Sequence, residues 1–205
     1  MLWSFSFAQE RPRTQHWQAR NQLFETELDS ISEGKLVFLG NSITEGFDLE
    51  LYFPQHQTYN RGIVGDHLDG LIERLNNSAV ALKPEKLFLM VGINDIGDQR
   101  SDEYLKLMFT TLVDTLISEL PETQIYLHSI LPTSARWKNC PPDQIKRLNS
   151  FLTLMTIEKG LVFVNLYPCF LDDTQYLNPE LTRDGLHPNK AGYDIWAEKI
   201  RSFLD

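Results

Sequence analysis

Four short polar segments interrupt a chain otherwise made of apolar runs and amphipathic stretches. They are Gly40-Asn41-Ser42-Ile43-Thr44, Asn60-Arg61-Gly62-Ile63-Val64-Gly65-Asp66, Gly92-Ile93-Asn94-Asp95 and Asp184-Gly185-Leu186-His187-Pro188-Asn189. Together they hold a serine, a histidine, a carboxylate and a side-chain amide, the residue types of nucleophilic acyl transfer. A serine hydroxyl is a weak nucleophile until a base within hydrogen-bond reach takes its proton. His187 can be that base, since an unperturbed imidazole titrates near ~6.5. A carboxylate must then hold the ring in one tautomer and stabilise the imidazolium, and Asp184 can do so from the same loop. The developing oxyanion needs donors already in place. The backbone N–H groups of Ser42 and Gly65 and the Asn94 side-chain amide are the candidates. Glycine at position 65 would let the backbone approach closely and adopt unusual dihedrals.

Each residue also has a plainer reading. Ser42 after a strand reads as a helix N-cap. Gly62 and Gly65 suit a tight strand-to-helix turn, and Asn94-Asp95 an Asx-turn. Asp184-Gly185 is turn chemistry ahead of a helix capped by Asn189. Taken singly, these structural readings are the stronger. Taken together, four such segments in one order, each at the edge of an element, favour catalysis.

Those edges belong to alternating strands and helices. Lys35–Leu39, Lys86–Val91, Gln124–Ile130 and Leu161–Leu166 are short, nearly continuous apolar runs, as in strands buried on both faces of a parallel sheet. A weaker strand covers Thr58–Arg61. Helical patterns run over Asp66–Asn76, Ser101–Leu120, Pro142–Lys159 and Asn189–Leu204, the last with Tyr193, Trp196, Ile200 and Phe203 on one face. Trp17, Arg20, Phe24 and Leu28 predict one more amphipathic helix ahead of the first strand. The expected fold is a three-layer α/β/α sandwich around a mostly parallel five-stranded sheet. Ligands in such sheets sit at the carboxyl ends of the strands, where the polar segments fall.

Composition bounds the function. The chain has 205 residues, 42% hydrophobic and 23% charged, enough to bury a sizeable core. Its formal net charge of -9 disfavours nucleic acid and anionic membranes as partners. No apolar run approaches the ~18 residues of a membrane span. Two cysteines, Cys140 and Cys169, cannot build a disulfide framework or a four-ligand zinc site. His16, His56, His67 and His128 lack metal-ligand spacing, so neither metal nor other cofactor is expected. No dinucleotide or P-loop motif occurs, and Ser42 lacks the Gly-x-Ser-x-Gly setting of an α/β-hydrolase.

The four segments, in this order, resemble the SGNH hydrolases, also called GDSL lipases or acylhydrolases. The resemblance runs from about Lys35 to the end of the chain, and is nearest the platelet-activating-factor acetylhydrolase branch and its bacterial esterase relatives. It implies Ser42 as nucleophile, His187 as base, Asp184 as its orienting acid, and Gly65 and Asn94 in the oxyanion hole. One departure is Asn41, where the family usually has Asp.

Substrate is less legible. The loop Leu131–Trp137 should overhang the same sheet edge, so Arg136 and Trp137, with Asn41, are the candidate substrate contacts. With no room for a large lid, short acyl esters are expected, O-acetylated carbohydrates first. Lysophospholipids or acyl transfer by the same site are alternatives, as is a carbohydrate-binding or scaffolding module without turnover. A small-molecule or glycan ester is the expected partner, and the chain a monomer or homodimer. Residues 13–205 read as one domain behind an extension over 1–12. Within it, Leu2–Ala8 reads either as the tail of a signal peptide, implying export, or as a frayed terminus on a cytoplasmic protein.

Overall fold

Four apolar runs too short for helices, and one more polar segment, become strands: β1 (Leu36–Gly40), β2 (Thr58–Gly62, the polar one), β3 (Lys86–Met90), β4 (Gln124–His128) and β5 (Val162–Val164). They pair in the order β2-β1-β3-β4-β5, every pairing parallel. The structure is a computed structural model that describes residues 12–31 and 35–204. The stretch Leu2–Ala8, read above as a leader remnant or frayed end, lies outside the described residues. The helices are α1 (Gln15–Glu27), α2 (Ser42–Glu45), α3 (Leu49–Tyr52), α4 (Leu68–Glu73), α5 (Leu75–Ser78), α6 (Ile93–Gly97), α7 (Asp102–Glu119), α8 (Pro142–Lys159) and α9 (Lys190–Ile200). Among the described residues none is long and apolar enough to cross a membrane.

Strand alternation divides the core between two faces. One carries an aromatic row. The register sets Phe38 beside Phe88 and Phe88 beside Tyr126, their rings stacked at 4.6 and 4.7 Å. Phe47 packs on Phe38 and on Trp196 of α9, closing that layer. His128, also here, is buried, and burial pushes its imidazole down to about 3. It is therefore neutral, as it must be to accept the Trp196 indole N–H at 3.1 Å. On the other face Val37, Leu39, Leu87, Leu89, Ile125 and Leu127 are buried.

Three element boundaries differ from the sequence expectation, each because a side chain captures backbone. The fourth strand ends at His128 rather than Ile130, since the Ile130 N–H and C=O both bind the buried Asn149 amide at 2.8 and 2.9 Å. The fifth stops at Val164 because the Ser129 hydroxyl accepts the N–H groups of Leu166 and Tyr167. The helix expected over Asp66–Asn76 starts only at Leu68 and breaks at Arg74. Both end residues are turned inward, as an ion pair that matters below.

Candidate active site

β1 delivers the serine. Its last residue, Gly40, is followed by Asn41 and by Ser42, the first residue of α2. Asn41, not Ser42, is the N-cap: its Oδ1 accepts the Ile43 N–H at 3.0 Å. That corrects the capping reading of Ser42 and leaves its hydroxyl for another partner. The Ser42 Oγ lies 2.9 Å from His187 Nε2. Asn41 is itself buried, so its visible use is structural.

His187 stands just before α9 on a loop that is ordered by its own polar atoms. Thr182 Oγ1 donates to the His187 carbonyl at 2.7 Å and accepts the Gly185 N–H at 2.9 Å. His187 Nδ1 lies 2.7 Å from Asp184 Oδ2, while Asp184 Oδ1 accepts the N–H groups of Leu186 and His187 at 3.0 and 2.8 Å. Burial opposes ionisation of Asp184. Yet the His187 N–H, the imidazole and the Leu186 N–H all favour the carboxylate and bring it down to about 2. With Nδ1–H donating to that carboxylate, Nε2 is the lone-pair nitrogen facing Ser42.

β2 ends beside β1, with Gly62 in register with Gly40. A Cβ on Gly62 would stand 2.1 Å from the Glu45 nitrogen and 2.8 Å from the Asn41 carbonyl oxygen. Only glycine lets the serine-bearing helix sit so close. Three residues on, Gly65 has φ +75°, a conformation that disfavours any side chain, but a Cβ there would meet nothing within 4 Å. The unusual dihedral expected at Gly65 is present, and Gly62 is where the protein's own backbone comes close. Asn94, in the first turn of α6, donates from Nδ2 to the Asp66 carbonyl at 2.8 Å, joining the third segment to the second.

Gly65, Asn94 and Trp137 line one cleft of about 400 Å³, with Ile93, Cys140 and Leu186 as its apolar wall. The Trp137 indole N–H donates to the Asp184 carbonyl at 3.3 Å, and the Arg136 guanidinium lies 5.6 Å from the Trp137 ring. The Ser134 N–H bonds the Gly185 carbonyl at 2.8 Å. The loop after β4 therefore braces the histidine loop as well as edging the cleft.

Several contacts at the site gave no local signal. Asp66 and Arg74 form a fully buried ion pair at 2.7 Å. Asp66 also accepts the Trp17 indole N–H at 2.9 Å, and Arg74 donates to the Gly40 carbonyl at 2.9 Å. The pair thus ties the glycine loop to the end of β1. Helix α1 adds to this, with Arg20 donating to the Gly62 carbonyl and His16 to Glu45 on α2. His67, which lacks metal-ligand spacing in the sequence, pairs with Asp98 at 2.9 Å, and both line the cleft. Trp17 and His16 lie far from the four segments, and no spacing ties them to the site.

Comparison with known proteins points to one family. A GDSL-like lipase/acylhydrolase family model matches residues 38–195. A structure from Streptococcus pneumonia, provisionally described as a platelet activating factor, has a TM-score of 0.87 at 26% identity, covering 93% of both chains. A GDSL-like lipase from Bacteroides thetaiotaomicron has a TM-score of 0.81 over 91% of this chain and 97% of its own, and at 24% identity shares the fold. An acetylxylan esterase from Geobacillus stearothermophilus is 26% identical over 83% of this chain and 92% of its own. An N-acylneuraminate cytidylyltransferase from Streptococcus agalactiae is 27% identical over 84% of this chain, which spans only 39% of that protein's length. All four polar segments, from Gly40 to Asn189, fall within the matched residues, and the chain belongs to the GDSL-like lipase/acylhydrolase family of ester hydrolases.

Proposed function

We propose that this chain hydrolyses short-chain acyl esters, acetyl esters of carbohydrates first among them, through a Ser42–His187–Asp184 triad. The observation that carries the reading is the unbroken contact from Asp184 through both ring nitrogens of His187 to the Ser42 hydroxyl, at 2.7 and 2.9 Å. In the first step the Ser42 Oγ attacks the ester carbonyl carbon while His187 Nε2 takes the hydroxyl proton. The carbonyl π electrons move to oxygen, which the Ser42 and Gly65 N–H groups and the Asn94 amide stabilise. Asn94 has two amide protons, and one held by the Asp66 carbonyl leaves the other for that oxygen. Collapse expels the alcohol, which takes the proton from His187. Water, activated by the same nitrogen, then releases the acid and regenerates Ser42. The acetylxylan esterase relative supports acetyl and carbohydrate as the two halves of the substrate.

Residues 13–205 form one domain in this reading, because α1 is fastened by Trp17 and Arg20 to the loop that carries Gly65. A serine-directed organophosphonate should label the protein once, at Ser42, as read by mass spectrometry. Ser42→Ala should abolish both labelling and nitrophenyl acetate hydrolysis. Labelling that persists in the folded Ser42→Ala protein would overturn the assignment.

A further inference from the structure

The cleft lined by Gly65 and Asn94 does not stand alone. A second cleft of about 570 Å³ is lined by residues including Gln99, Arg100, Asp102, Lys138, Gln144 and Arg147. Asn139 lines both. The walls also continue along the chain: Ile93, Asn94, Gly97 and Asp98 border the first cleft and Gln99 to Glu103 the second, while Trp137 and Cys140 border the first and Lys138 and Pro141 the second. The two clefts adjoin at Asn139 and, taken together as one trough, lie along the segments 93–103 and 137–147.

This trough is built before any ligand arrives. Gln144 Nε2 donates to the Arg100 carbonyl at 2.9 Å, and Arg147 pairs with Asp102 at 2.7 Å, so each wall holds the other. Gln99, between the two halves, has φ +60°, an unfavourable left-handed conformation for a residue with a side chain. The Arg100 N–H to the Asp95 carbonyl and the Gln99 N–H to the Ile96 carbonyl keep it there.

The chemistry changes along its length. The near end is apolar, with Ile93, Cys140 and Leu186, and suits an acyl group. The far end has three cations, Arg100, Lys138 and Arg147, and three carboxylates, Asp102, Glu103 and Asp143, with amides between them. A lipid tail there would strip water from charges and gain no partner. A polyanion or polycation would meet as much repulsion as attraction. A neutral chain of hydroxyl groups, each both donor and acceptor, suits this mixture.

We infer that the far half of the trough is a binding site for the sugar chain of an O-acylated oligosaccharide, several units long, whose ester sits at Ser42. This rests on the esterase reading above and specifies its substrate. A two-carbon acyl group fills little of two clefts that are each of ligand size.

The test uses nitrophenyl acetate and acetylated xylo-oligosaccharides of one to five sugar units. On the oligosaccharides kcat/KM should rise at least tenfold with length. Lys138→Ala and Gln99→Ala, on opposite walls, should each remove most of that rise and leave nitrophenyl acetate hydrolysis unchanged. A flat length dependence with nitrophenyl acetate hydrolysis intact would overturn the inference and spare the esterase. A rise that survives both substitutions would also overturn it, since the chain would lie elsewhere. Loss of nitrophenyl acetate hydrolysis in the parent protein would instead sink the esterase reading, and this inference with it.

Discussion

Asp184→Asn is the substitution whose consequence follows most directly from the geometry. The Asp184 carboxylate uses Oδ1 for two backbone N–H groups and Oδ2 for the imidazole. An asparagine can keep its oxygen on the backbone pair, because those bonds come from N–H donors. Its nitrogen then replaces Oδ2 and presents a hydrogen to Nδ1. The imidazole must answer with a lone pair there, which moves its proton to Nε2. Ser42 Oγ, 2.9 Å away, now faces an N–H and loses its base. A reversal of this kind costs about 10⁴ in kcat, or roughly 5.4 kcal/mol at 1.36 kcal/mol per tenfold. The fold should hold, because Thr182 and Ser134 fix the loop without the carboxylate. Steady-state hydrolysis of nitrophenyl acetate, with circular dichroism as the fold check, gives both numbers. A folded Asp184→Asn protein within tenfold of the parent kcat would mean that Asp184 does not set the tautomer, and the triad would fail.

Asn94→Ala should lower kcat by about 10²–10³ with KM nearly unchanged, since the donor acts on charge that exists only in the transition state. Raised KM with kcat intact would move Asn94 from the oxyanion hole to substrate binding. Asp95 offers a test of stability: burial pushes its carboxyl up to about 7, against about 3.9 unfolded. The folded state therefore binds the extra proton between those values, and this group's contribution to stability is fully present below pH ~4 and lost as pH rises through about 7. Asp95→Asn, which can still accept the Leu68 N–H, should raise Tm more at pH 8 than at pH 4. An equal change at both would show that Asp95 is not the titrating group.

The sequence carried the strands because they are buried on both faces, so Leu36–Leu39 and Leu87–Met90 read as unbroken apolar runs. Helix α8 was legible at both ends, with Pro142 at its start and Gly160, at φ +69°, just past its close. The candidate catalytic residues were legible for a related reason: each stands at the edge of a strand or helix, and four such segments in one order outweigh the capping and turn readings that each has singly. Asn41 and Ser42 mark the limit of that logic. Either residue could cap α2, and only the structure shows that the asparagine does.

What sequence hid are the residues that hold those segments in place. Asp66 opens the helical pattern over Asp66–Asn76 and Arg74 lies within it, and nothing in that pattern pairs the two. They are instead withdrawn from it, because a fully buried guanidinium must find a carboxylate, and the partners that complete the pair, Trp17 and the Gly40 carbonyl, come from 49 and 34 residues away. Removing one partner of such a pair typically costs about 3–5 kcal/mol, since the other is left charged and unpaired. Reactive groups need only the right type at the right edge, which a local pattern can show. Their positioning depends on contacts between distant segments, and α1, which lies ahead of the residues matched by the family, supplies the Trp17 N–H and the Arg20 contact to Gly62. The glycine segment that packs against the serine turn is therefore held by a helix whose own sequence says only that one of its faces is apolar.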